Sequence, residues 1–237
     1  MIWRGGARGG REARRREAAA RRAPAGPLRE HLAVPTPTPG TPVAELPLLA
    51  VDLETTGLDP GRDRIVAIAW VPIDRLGVVL GGAGRLVVRP GSDVGESATL
   101  HGLTDDAVAA GVPSGEALAR LLDVLAGRVL LAHHAGLEAG FISAECARVF
   151  GSPFVPPSVD TMRLQRRVLE GPLGTGPEPA GGELRLAAAR QRFGLPRYRA
   201  HDPLADALGC AELYLAQVAE LSLRSSSPST LADVWSG

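Results

Sequence analysis

An α/β domain built on a mixed sheet flanked by helices is predicted by three features of the 237-residue chain. Apolar runs bounded by Gly, Asp and Pro begin at Leu48. The first three of them follow one another through short turns, and after them helical periodicity alternates with strand-like runs. The composition fits an ordinary globular protein, with 45% apolar and 22% charged residues and 26 basic side chains balanced by 26 acidic ones, which excludes fibrous and wholly disordered classes. The longest apolar runs, such as residues 46–51 and 129–132, fall far short of the roughly 18 to 20 residues of a membrane-spanning helix, so no membrane partner is expected. Cys146 and Cys210 each lie in an apolar helical pattern. That suits buried, reduced thiols in a cytoplasmic protein, and their spacing is not that of a zinc site.

Residues 48–53 and 65–73 read as buried strands, and residues 77–88 as a third strand interrupted by glycine, together an antiparallel meander. Helical periodicity follows over 115–125, then a short strand at 128–132 and a helix over 137–150. A helix at 161–169, a Gly/Pro loop at 171–182, a helix at 184–193 and a last helix from Pro203 to about Leu221 complete a domain over 47–223, with 224–237 a flexible Ser-rich tail.

The first 46 residues differ in kind. Residues 1–30 carry nine Arg against Glu12, Glu17 and Glu30, a net +6, which leaves −6 for the rest of the chain. Every basic residue is Arg, and Lys and Asn are absent from the sequence, a bias that GC-rich coding produces and that weakens any argument from Arg abundance. Residues 23–47 are rich in Pro and Thr and offer little apolar surface to offset chain ordering. Residues 1–46 are therefore expected to be a disordered extension. It is compatible with phosphate contacts to nucleic acid, with a solvated tail, and with a start placed too far upstream. Glu12 and Glu17 interrupt any transit-peptide pattern, so no targeting role is expected.

Two segments carry chemistry. In Leu49-Ala50-Val51-Asp52-Leu53-Glu54-Thr55-Thr56-Gly57-Leu58, a strand that should be central holds two carboxylates two positions apart, on one face. Two like charges buried side by side require either a proton or a cation, and carboxylate oxygens suit Mg²⁺ or Mn²⁺, which recruit phosphate oxygens to complete their coordination. Taken alone, Asp-x-Glu fits equally a strand end whose acids are solvated. In Tyr198-Arg199-Ala200-His201-Asp202-Pro203-Leu204-Ala205-Asp206, Asp202 and Pro203 read as a helix N-cap and its first residue. His201 then precedes the helix as a candidate general base on water, and Asp206 in the first turn is a candidate metal ligand. A loop histidine beside an aspartate that favours the helix dipole is the plainer reading of that segment by itself.

In this order along the chain, with Leu100-His101-Gly102-Leu103-Thr104 between them, these segments resemble the DEDDh (DnaQ-like) 3′-5′ exonuclease family, which includes the proofreading subunit of bacterial replicative polymerase, ribonuclease T and oligoribonuclease. The resemblance covers Leu48 to about Leu221. It implies a ribonuclease H-like fold with a mixed five-stranded sheet, and two Mg²⁺ or Mn²⁺ ions held by four acids, among them Asp52, Glu54 and Asp206, with His201 activating water. It further implies hydrolysis of a phosphodiester at a single-stranded 3′ end, DNA being the first expectation, with release of nucleoside 5′-monophosphates. Thr55, Thr56, Gly57 and Leu58 would hold the terminal nucleotide, His101 would contact substrate, and a polymerase or repair complex is a possible partner. Thr104 can at the same time N-cap a helix that begins at Asp105.

The family's middle motif, His-Asn-Ala-x-Phe-Asp, stands here as His133-His134-Ala135-Gly136-Leu137-Glu138. Glu138 is expected to act as the fourth ligand, one methylene longer, while Leu137 and His134 replace an aromatic and an amide. Three readings are open: an adapted working exonuclease, a catalytically weak module that binds 3′ ends, and an oligoribonuclease-like enzyme acting on RNA. Asp160 is expected to be an N-cap or support rather than a ligand.

Overall fold

The computed structural model describes residues 5–89, 105–171, 178–180, 182–199, 201–225 and 227–236. Its elements run α1 (Gly5–Arg22), α2 (Pro27–Ala33), β1 (Leu48–Thr55), β2 (Ile65–Asp74), β3 (Gly77–Val78), β4 (Gly84–Arg89), α3 (Asp105–Ala109), β5 (Val112–Pro113), α4 (Ser114–Leu125), β6 (Val129–Ala132), α5 (Ala135–Phe150), β7 (Ser158–Asp160), α6 (Thr161–Glu170), α7 (Leu186–Arg192), α8 (Pro203–Leu223) and α9 (Leu231–Val234). The expected helices are all present, with ends moved by one or two residues.

Among the described residues the sheet has seven strands in the order β5-β4-β2-β1-β6-β7, with β3 beside β2. β1 pairs antiparallel with β2 and parallel with β6, and β6 pairs parallel with β7. β1, β2, β4 and β6 fall where strands are expected, β7 makes the fifth of the longer strands, and the two-residue β3 and β5 complete the seven. The interruption expected in the third strand is a 3₁₀ turn at Leu80–Gly82, which divides it into β3 and β4. Gly77, Gly81, Gly82 and Gly84 weaken it as a strand. At Gly84 a Cβ would come within 2.3 Å of the Trp70 ring, so the chain can rejoin β2 only at a glycine. The three-residue β7 went unread because it follows Pro156 and Pro157 and lacks the length of a recognisable run.

Alternation along β1 divides the core. Leu49 and Val51 point into a cluster with Leu118, Leu121, Phe141 and Ile142 of α4 and α5, whereas Leu48 and Ala50 point into a cluster with Ala207, Cys210, Ala211 and Tyr214 of α8. The same period places Asp52 and Glu54 on the α8 side. Both cysteines are buried free thiols, as expected.

The expected disorder at both ends is corrected wherever the ends are described. Ala19, Ala23, Leu28 and Leu32 are buried in the α4/α5 cluster. The Arg16 guanidinium donates to the carbonyls of His31 (2.6 Å), Val34 (3.3 Å) and Val155 (3.4 Å), and His31 Nδ1 lies 2.9 Å from the Leu122 carbonyl. At the other end, Leu231 and Val234 are buried, and the amides of Leu231 and Ala232 donate to the carbonyls of Thr41 and Pro39. A Pro-rich segment and a Ser-rich one thus satisfy one another's backbone, which neither reveals locally. Ala23→Asp would place a carboxylate in this apolar seam. It should cost about 2 kcal/mol or more, lowering the melting temperature by roughly 4–8 °C, and limited trypsin digestion should cut after Arg14 and Arg15 well before the wild type is cut.

Candidate active site

The bond pattern of β1 changes where its carboxylates emerge. Glu54 faces Ala67 but Thr55 faces Ile65, so Val66 is the extra residue of a bulge, a device that re-aims side chains at the end of a strand. Beyond it, residues 56–63 form a braced turn. Thr55 Oγ1 donates to the Gly57 carbonyl (2.6 Å), Thr56 Oγ1 donates to Asp63 Oδ1 (3.2 Å), and the Asp59 amide donates to Asp63 Oδ2 (2.8 Å). A Cβ on Gly57 would meet the Asp63 carboxylate at 2.4 Å, so only glycine lets that carboxylate close the turn. Arg148 of α5 donates to the Pro60 carbonyl and ties the turn to that helix. Leu58 stands at its tip, 78% exposed. The Thr55 and Thr56 hydroxyl protons are thus committed within the turn, and Asp63, which organises it, carried no sequence signal beyond its place in a turn.

α8 is capped as expected. Asp202 accepts from the amides of Leu204 (3.0 Å) and Ala205 (3.2 Å), with Pro203 at the first helical position. Arg85 of β4 lies 3.8 Å from Asp202. His201 adopts φ +64, a left-handed conformation that histidine tolerates better than most side chains, and its amide donates to Asp206 Oδ2 at 3.1 Å. Its ring is exposed. Asp160 N-caps α6, accepting from the amides of Met162 (2.9 Å) and Arg163 (3.4 Å), and also accepts from the His134 amide (3.1 Å). His134 itself sits at φ +92, where β6 turns into α5.

Glu138 lies in the first turn of α5, buried, with Oε2 having no hydrogen-bond partner. Burial pushes its carboxyl up to about 8, with Asp160 adding to the effect. Asp52 is raised well above the usual carboxylate range, first by burial and then by the charges of Asp206, Glu138 and Glu54. Burial raises Glu54 to about 7, opposed by His201 and helped by Asp206. Asp206 is raised by burial, against the His201 amide and the His201 and Arg190 charges. The structure therefore brings Asp52, Glu54, Glu138, Asp206 and His201 into one electrostatic neighbourhood at the carboxyl ends of β1 and β6, where ligands bind in open α/β sheets. His101 and Thr104 lie outside the described residues.

A cavity of about 550 Å³ opens on this neighbourhood. Asp52, His201 and Asp206 line it from one side and Leu186, Arg190 and Tyr198 from the other, while Glu54 and Glu138 do not line it. His133 also lines it, in a pinned orientation, with Nδ1 2.8 Å from Thr161 Oγ1 and Nε2 2.8 Å from the Leu184 carbonyl. Sequence reasoning missed Arg190. The one available signal was Gly209 in the interior of an apolar helix, since a Cβ there would come within 3.3 Å of Arg190 Nη1.

The donor set suits a hard divalent cation. It consists of carboxylate oxygens alone, their charges raise one another's protonation, and one buried oxygen is unpaired. Among the described residues no three His, Cys, Asp or Glu side chains are gathered tightly enough to enclose an ion, so the fit is one of charge and donor chemistry.

The sequence profile of the RNase_T exonuclease family matches residues 49–214, most of the chain and a span that contains every acid just described. The chain belongs to this exonuclease family. Residues 49–214 are its exonuclease domain, and the family is dependent on divalent metal. The chain is 31% identical over 188 residues to a DNA polymerase III subunit epsilon-like protein of Rhodobacter capsulatus, covering 78% of this chain and 25% of that protein. It is 29% identical over 170 residues to DNA polymerase III subunit epsilon of Treponema pallidum, covering 72% and 75%. Its fold, ribonuclease H-like, is shared with Escherichia coli exonuclease I, solved in complex with a dT13 oligonucleotide, at a TM-score of 0.65 and 19% identity over 76% of this chain and 42% of that one. The matched part of the chain thus spans about 42% of that enzyme and 25% of the Rhodobacter relative.

Proposed function

We propose that this protein is a divalent-metal-dependent 3′-5′ exonuclease acting on single-stranded ends, DNA in the first place, and releasing nucleoside 5′-monophosphates. The observation that carries the reading is that the charges of Glu54, Glu138 and Asp206, from one strand and two helices, all act on the buried carboxyl of Asp52 in a domain of the exonuclease family. These four side chains would hold Mg²⁺ or Mn²⁺, two ions by analogy with in-line phosphodiester hydrolysis. When bound, the ions would supply positive charge to the phosphoryl oxygens and lower the pKa of water. His201, exposed at the mouth of the cavity and held by its amide at Asp206, would accept the proton of the attacking water. The turn from Thr55 to Leu58 would receive the terminal nucleotide, with the exposed Leu58 against its base. The family relatives that carry DNA polymerase III names support a polymerase complex as the setting.

The test is hydrolysis of 5′-labelled single-stranded DNA and RNA oligonucleotides in Mn²⁺ and in Mg²⁺, with Glu138→Asp alongside. The expected result is a metal-dependent ladder shortening from the 3′ end, faster on DNA, with Glu138→Asp slower than wild type because its carboxyl is withdrawn by one methylene. Cleavage by Glu138→Asp alone would overturn the enzymatic reading in favour of a 3′-end-binding module. A ladder on RNA alone would replace the DNA assignment.

A further inference from the structure

The segment that delivers His201 is held by a buried cation outside the acid cluster. Arg190 of α7 is 5% exposed, and its guanidinium joins three parts of the chain. Nη1 donates to the Gly209 carbonyl of α8 at 2.7 Å, and Nη2 donates to the Pro196 carbonyl and to Glu212 Oε2, both at 2.8 Å. The Tyr198 ring covers its opposite face, 4.5 Å from Cζ, and the Tyr198 hydroxyl donates to Glu212 Oε1 at 2.8 Å. Both oxygens of Glu212 are thereby used, one by the guanidinium and one by the ring that stacks on it.

We propose that Arg190 is a positioning residue for hydrolysis: with Tyr198 and Glu212 it clamps residues 195–199 onto α8 and so sets where the His201 ring stands beside Asp52 and Asp206. On the far side His201 is tied by its amide to Asp206 and by the Asp202 cap. On the near side, among the described residues, Tyr198 is the nearest one with a side-chain anchor, three positions away, a distance the chain spans in at most about 10 Å. Without the clamp the histidine would be tethered at one end only. A planar fork is needed, because three acceptors, two on α8 and one on the segment before it, must be met while one face stays free for the ring; a lysine ammonium offers neither. Gly209 leaves the space in which the fork lies.

This inference rests on the reading of His201 as the base, and its test separates the two. Arg190→Lys, Tyr198→Phe and Glu212→Gln are compared with wild type for kcat and KM on a single-stranded DNA oligonucleotide, and for the His201 imidazole Cε1–H resonance, assigned among five histidines by its loss in His201→Gln. The expected result is a kcat lower by about tenfold in Arg190→Lys and by roughly three- to tenfold in the other two, with KM within about twofold, since a displaced base harms turnover more than binding. The His201 resonance should shift in all three. A lower melting temperature with kcat, KM and that resonance unchanged would overturn the proposal and leave Arg190 a packing residue. If the wild type cleaves no oligonucleotide, the function proposed above fails, yet the resonance still decides the clamp: unmoved, it overturns it; moved, it upholds it.

Discussion

Asp52→Asn should lower kcat for oligonucleotide hydrolysis by about 10³-fold or more, the scale on which loss of one charge-stabilising group acts, while making the metal-free protein more stable. Asp52 is where the four acids meet, since its carboxyl feels Asp206, Glu138 and Glu54 on top of its own burial. Asparagine keeps the shape and removes the charge. Folding then no longer has to protonate that carboxyl or hold its charge against its neighbours, and the attraction that would hold a cation falls. The two readouts move in opposite directions, which separates loss of function from loss of fold. Steady-state kinetics in Mn²⁺ and a thermal melt in EDTA check both. Turnover within tenfold of wild type, or a lower melting temperature in EDTA, would remove Asp52 from the centre of the site.

The second large effect concerns pH. Glu54 and Glu138 are raised from the ordinary range near 4.5 to about 7 and about 8, and Asp52 and Asp206 are raised as well. A carboxyl whose pKa is raised by folding is better protonated in the folded state. Its contribution to stability is complete below the unfolded pKa and is lost as pH rises through the folded one. Two buried histidines act in the opposite sense. His31 is lowered to about 4 by burial and by the Arg16 charge, and His133 is lowered by burial, so their contribution grows as pH rises and is complete above about 6.5. From pH 6.5 to 8 the acid cluster should therefore dominate. In EDTA the melting temperature should fall across that window by roughly 6–12 °C, equivalent to about 3 kcal/mol. Mn²⁺ or Mg²⁺ should restore it at pH 8 and do little at pH 5, where the carboxyls keep their protons. A melting temperature in EDTA that holds level or rises from pH 6.5 to 8 would contradict the clustering of these acids.

Much of this architecture was legible in the sequence because it rests on local rules. Period two along residues 48–55 puts Asp52 and Glu54 on one face whatever the strand pairs with. Asp202-Pro203 caps a helix, and so fixes His201 outside it and Asp206 within its first turn, through atoms no more than three residues away. Asp160 was recognisable as a cap for the same reason. Helix and strand order followed from hydrophobic periodicity, with ends displaced by a residue or two and the short β7 not distinguished.

The family motifs and the order of the elements were thus determined by the sequence itself. The tertiary structure alone decided how the pieces meet: that Glu138 is buried with an unpaired oxygen while the charges of Asp206, Glu138 and Glu54 all act on Asp52, that Arg190 holds the segment before His201, and that the two ends pack on the domain and on each other. The physical reason is range. Arg16 meets a carbonyl 139 residues away and Arg190 a carboxylate 22 residues away, and no local propensity records which distant group will satisfy a buried charge or a Pro-rich backbone.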